Sequence, residues 1–206
     1  MKALVASLAV CASGATAATT DQIDAILAPF QGVVGLEAHF REEKRLAMLA
    51  APLVSEGEIY FVPPDRLARR VTQPAPSVVV IDGKTLTFRD EHGRETLAID
   101  ANPVIRLFID GFLQILSGNS EMLHRIYDIA LEPQPRGAWG LRFTPKTGAM
   151  REAIAKIDLT GRGVVLETLR VTEVDGDVTV TRFDAVDPKR RFTASELERL
   201  FSVDTP

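Results

Sequence analysis

The sequence predicts a mainly β protein, a sandwich or open barrel, built around one apolar helix. Three observations carry this. About ten short runs of alternating apolar and polar residues recur along the chain, with turn signals between them. Two of those signals, Asp82-Gly83 and Asp175-Gly176, are pairs favoured in tight β-hairpins. The stretch Asn102 to Gly118, NPVIRLFIDGFLQILSG, reads as a helix that is apolar nearly all round.

Asn102 is a suitable N-cap for that helix, Pro103 fits its first position and Gly118 supplies a stop. Only Arg106, Asp110 and Gln114, spaced by four, form a polar stripe. At roughly 15 residues the helix is too short for a bilayer, which needs about 20. Burial of each large side chain is worth about 1.5–3 kcal/mol, so the helix must lie under other elements. A greasy helix enclosed by a curved sheet reads as a container.

The other elements follow in order. Residues 1–17 read as a secretory leader: Lys2, the apolar run Ala3 to Ala12, and the small residues of Ala15-Thr16-Ala17 before a cleavage site. The mature chain is expected to begin at Ala18 as one domain, 18–206, soluble and exported. The lone cysteine, Cys11, falls within the leader. Thr19 to Gly32 predicts an amphipathic helix, with Thr19 and Gln22 as capping box and Ile23, Ile26, Leu27 and Phe30 as its inner face. Leu36 to Arg41 alternates strictly, and Glu42 and Lys44 interrupt the pattern where the strand reaches a rim. Ser55 to Phe61 turns Gly57, Ile59 and Phe61 to one side and Glu58 and Tyr60 to the other. After a turn at Pro63-Pro64-Asp65, a short strand runs from Leu67 to Thr72. Val78 to Asp90 forms a hairpin about Asp82-Gly83, and a further strand spans Glu95 to Ile99.

Beyond the greasy helix, a second short helix is expected from Ser120 to Arg125. Strands follow at Ile126–Leu131, Trp139–Thr144 and Ala153–Leu159, then a hairpin of Val164–Val174 and Val178–Phe183. Ser195 and Glu198 are placed to open a closing helix with Leu197, Leu200 and Phe201 inward.

A net charge of −4 and a pI near 5.5 argue against nucleic acid as the main partner. Removing residues 1–17 takes one lysine and no acid, which brings the charge to −5. His39, His92 and His124 lack metal-ligand spacing, so no metal or cofactor is expected. Gly83-Lys84-Thr85 lacks the first glycine of a phosphate loop, its place being taken by Val78. No nucleophile motif occurs, and no enzymatic activity is expected. Arg69-Arg70 and Lys189-Arg190-Arg191 read as charged strand edges, with Arg69 and Arg70 the candidates for partner docking.

The segment Leu36-x-Ala38-x-Phe40-x-Glu42, then Gly57-Glu58-Ile59-Tyr60, Pro64-Asp65-x-Leu67, Thr72-Gln73-Pro74 and Ile81-Asp82-Gly83-Lys84-Thr85-Leu86-x-Phe88, resembles the periplasmic outer-membrane lipoprotein carrier family (LolA). Phe143-Thr144-Pro145-Lys146 is similar to a further family segment. The resemblance implies an unclosed, strongly curved antiparallel β-barrel, with helices as a lid over an apolar cavity. It implies a monomeric carrier in the periplasm that takes acyl chains of lipoproteins, or another apolar lipid, from an inner-membrane exporter to an outer-membrane acceptor. A lipid- or protein-sensing regulatory module on the same fold is the alternative. Two positions depart from the family pattern: Pro63 stands where an arginine usually latches the lid, and Arg69 where a tryptophan is usual. Strand parity and the lid together predict a cavity lined by Leu36, Phe40, Ile59, Phe61, Val80, Leu86 and Phe88, with Ile105, Phe108, Ile109, Phe112 and Leu116 from the helix.

Overall fold

Eleven antiparallel strands form one sheet in the order β6-β5-β4-β3-β2-β1-β11-β10-β9-β8-β7. The computed structural model describes residues 20–146 and 148–204, with the side chains at 103–105 and 108 outside the description. The expected leader, Cys11 and the capping residue Thr19 lie outside the described residues.

The first half is a meander: β1 (Leu36–Arg45), β2 (Leu53–Val62), β3 (Arg66–Gln73), β4 (Ser77–Asp82), β5 (Thr85–Asp90) and β6 (Gly93–Ala98). The second is its counterpart: β7 (Tyr127–Leu131), β8 (Trp139–Pro145), β9 (Ile154–Arg162), β10 (Val165–Glu173) and β11 (Val178–Asp187). Pairing of β1 with β11 joins the halves, with Phe40 opposite Phe183 and Glu42 opposite Thr181. The outer strands β6 and β7 do not pair with each other, so the barrel is unclosed. Right-handed twist makes a sheet this wide curl, which leaves one concave and one convex face.

The crossing from β6 to β7 carries the helices that matter. A 3₁₀ turn (Ile99–Ala101) leads into α2 (Pro103–Leu116), followed by α3 (Ser120–Ile126). The carbonyl of Asn102 accepts the Arg106 N–H at 2.9 Å, as expected where the helix begins. Gly118 ends it at φ +65, a backbone state that suits glycine, and its carbonyl accepts Gln31 Nε2 at 3.2 Å. Arg106 pairs with Asp110 at 3.6 Å on the wet stripe, while Ile109, Leu113, Ile115 and Leu116 are buried. Gly111 lets the ring of Tyr127 pack against the helix; a Cβ there would fall on the Tyr127 hydroxyl.

The predicted N-terminal helix is α1 (Thr20–Leu27) continued by a 3₁₀ turn (Ala28–Gly32). Ile23, Leu27 and Phe30 join the core on the concave side. A further helix, α4 (Gly148–Ala153), stands where the sequence reading expected only a connection into β9. Its six residues carry one buried apolar side chain, Met150, too few for a periodic signal. The closing helix α5 is Ala194–Leu200, capped by Thr193 with Glu196, two residues before the expected Ser195 and Glu198 pair.

The first hairpin turns at Gly83-Lys84 rather than Asp82-Gly83, because Asp82 pairs with Thr85. The second has a four-residue loop, 174–177, around Asp175-Gly176.

Candidate functional site

Register decides which side chains share the concavity, because residues directly opposite across an antiparallel pair lie on one face. Leu36 faces Phe61, Ala38 faces Ile59 and Phe40 faces Gly57. Ile59 in turn faces Arg69, and Leu67 faces both Phe61 and Ile81. Ile81 then faces Leu86. All these rows look toward α2.

Between α2 and this face lies a cavity of about 210 Å³. Ile109 and Phe112 roof it, while Phe40, Ile59, Leu67, Ile81, Leu169 and Phe183 form its floor. Further along α2, Leu116 and the other face of Phe112 close on Leu36, Ala38, Leu166 and Val186, where only about 10 Å³ is left. One end of the space beneath α2 is therefore packed core and the other is open room.

The open room contains two charges. Arg69 Nη2 donates to Glu42 Oε1 at 3.0 Å, and its guanidinium lies over the Phe40 ring, 4.2 Å from the centroid. Thr181 Oγ1 donates to Glu42 Oε2 at 3.0 Å. Burial pushes the Arg69 guanidinium below its ordinary pKa, and Glu42 draws it partly back. The Arg69 and Glu42 side chains are 27% and 25% exposed, whereas Phe40, Ile59, Leu67 and Ile81 are buried; the ion pair thus marks the opening.

Of the expected lining residues, Phe40, Ile59, Ile109 and Phe112 border the larger space, and Leu36 and Leu116 the packed end. Phe61 is fully buried in the concave core and Leu86 packs against it. Phe88 keeps the parity of Ile81 and Val79 but is half-buried beside Asp90, His92 and Arg94, outside the cavity. The side chains of Ile105 and Phe108 lie outside the described residues. Val80 is a correction. It packs on the convex face with Tyr60, Ala68 and Val78, beneath Leu200, Phe201 and Val203 of the C-terminal segment. The run Val78-Val79-Val80-Ile81 is buried on both faces, so no alternation marks which member faces inward.

The expectation that Arg69 and Arg70 form an exposed basic edge is also corrected. β3 lies inside the sheet, and the two side chains point to opposite faces. Arg70 is on the convex side, where its Nε donates to Leu200 O at 3.1 Å and its Nη2 to Arg199 O at 3.0 Å. It thereby holds the C-terminal end of α5 with a charge of the favourable sign. Sequence reading missed Glu42, Leu67, Arg69, Ile81, Leu169, Thr181 and Phe183 as cavity residues. Counting two residues on from Leu67 would have placed Arg69 inward.

The fold and site together define an open, curved β-sheet whose concavity is roofed by a helix over an apolar space. The chain belongs to the family described as outer membrane lipoprotein carrier protein LolA-like, whose model matches residues 13–196. Among solved structures, MucB is similar at 16% identity over 87% of this chain and 62% of that one, with a TM-score of 0.51. The LolA superfamily protein NE2245 from Nitrosomonas europaea matches at 12% identity over 87% and 97% of the two chains, TM-score 0.45. The Mycobacterium tuberculosis lipoprotein LppX matches at 10% identity over 84% and 97%, TM-score 0.46. No curated protein matches the chain.

Proposed function

We propose that this protein is an exported carrier that binds an acyl chain, or a similarly apolar lipid chain, beneath α2 and passes it between membranes. The observation that carries the reading is the apolar room of about 210 Å³ under Ile109 and Phe112. A helix serving only as core would leave no such space, since interiors pack to crystal-like density. At about 30 Å³ per small group, the room takes roughly seven methylene-sized units. A full-length acyl chain therefore requires α2 to shift, and the helix is suited to this. It lies in the connection between the unpaired edge strands β6 and β7, and Pro63 replaces the arginine latch of the family pattern. The cost of shifting is limited to a few kcal/mol, or the lid could not both close and yield.

Family membership supports transfer from an inner-membrane donor to an outer-membrane acceptor. The pattern of Lys2, the apolar run and Ala15-Thr16-Ala17 supports residues 1–17 as the export leader and 18–206 as the mature domain. A lipid- or protein-sensing regulatory module on the same fold is the second reading, since a fold does not by itself fix a function. Purification from the native cell envelope followed by native mass spectrometry tests the choice. A carrier retains a bound lipid mass that organic extraction identifies. A protein bare of lipid that co-purifies with one signalling partner would favour the second reading.

A further inference from the structure

The charged pair in the cavity is not explained by stability. A partly buried ion pair is often no better for folding than apolar residues of the same shape, and the surrounding floor and roof are apolar. Arg69 also has donors to spare. Its described bonds use one nitrogen, Nη2, toward Glu42 Oε1 at 3.0 Å and Ser55 Oγ at 3.4 Å, while guanidinium presents five N–H groups. Glu42 is held from the other side by Thr181, so it need not leave if Arg69 takes a second acceptor. The stem and ring-stacked guanidinium over Phe40 fix the fork in place, which lessens the entropy lost on binding. An apolar chain lying along Ile59 and Phe112 would end at this fork, at the more exposed end of the room.

Resting on the carrier reading above, we propose that Arg69 makes the cavity selective for single-chain amphiphiles that end in a carboxylate, bound tail-inward with the head on the guanidinium. A planar carboxylate matches the fork, and a room that admits one full-length chain only when α2 shifts leaves no place for a second. The ester and amide chains of a lipoprotein offer no such anion, so the inference separates this protein's cargo from that class.

The test is displacement of an uncharged fluorescent probe, N-phenyl-1-naphthylamine, from the purified protein at about pH 8, where fatty acids of this kind are ionised. Competitors are dodecanoate, methyl dodecanoate and dodecyl phosphate. The wild type should bind dodecanoate about tenfold or more tightly than the methyl ester, as charge-assisted hydrogen bonds require. Arg69→Met should bring acid and ester within about twofold while ester binding persists. Because that variant leaves Glu42 unpaired, the double variant Arg69→Met with Glu42→Gln provides the same comparison in a neutral cavity. Equal binding of acid and ester by the wild type, or an acid preference surviving in the double variant, overturns the inference and leaves the carrier reading standing. Tighter binding of dodecyl phosphate than of dodecanoate overturns the carboxylate assignment. Failure of the probe and every competitor to bind overturns the carrier reading, and this inference with it.

Discussion

Phe112 and Leu116 lie one turn apart on α2 and divide packed core from open room. Leu116 is 1% exposed and borders only about 10 Å³ of unfilled space. Truncation to Ala there should behave as in any core and cost about 2–5 kcal/mol, transfer plus cavity. A fully packed Phe would lose about 3–5 kcal/mol on truncation. One side of the Phe112 ring already faces the 210 Å³ room, where it lacks partner atoms. Phe112→Ala is therefore expected to cost about 1–2.5 kcal/mol, less than Leu116→Ala although Phe is the larger residue. Urea unfolding at constant m-value measures both, and probe titration of the same samples measures binding. Phe112→Ala should alter binding several-fold, whereas Leu116→Ala should act mainly on stability. A loss at Phe112 equal to or above that at Leu116, with binding unchanged, would refute the idea that α2 is a lid.

Further expectations concern other joints of the fold. Gly→Ala inside a helix ordinarily stabilises by up to about 1 kcal/mol, but Gly111→Ala should destabilise because its Cβ meets the Tyr127 hydroxyl; adding Tyr127→Phe should restore part of the loss in a double-mutant cycle. Glu196 is held down to a pKa of about 2, first by the Thr193 backbone and hydroxyl and then by Arg190. Its contribution is present above the unfolded carboxylate range and is lost as pH falls from about 4.5 through 2, so the melting-temperature gap between wild type and Glu196→Gln should narrow over that window. If the gap is flat with pH, the cap does not depend on that charge. N-terminal sequencing of the soluble envelope fraction should find Ala18 first; a membrane-held form lipidated at Cys11 would show that the leader is misread.

The fold was largely legible because strand alternation, the hairpin turns and the all-round apolar helix each carry a local signal. The lining was legible only where one strand face is wet. Leu36, Phe40 and Ile59 alternate with His39, Glu58 and similar residues, and their inward direction follows from period alone. Val80 could not be placed because α5 covers the convex face of β4, so both faces read as apolar. That burial is a long-range fact, set by Leu200, Phe201 and Val203 at the far end of the chain. Arg69 reads as a surface charge in the sequence because arginine is seldom buried; its place becomes clear only when Glu42 and Thr181 are brought beside it from β1 and β11.

The central claim is that an apolar chain enters the concave room beneath α2 and not some other groove. Photo-crosslinking with an uncharged diazirine-bearing alkyl ester, followed by peptide mapping, tests it most directly. The account predicts labels on Ile59, Ile109, Phe112, Leu169 and Phe183, around the cavity. Labels confined to the convex groove of Tyr60, Arg70 and Leu200 under α5 would contradict it.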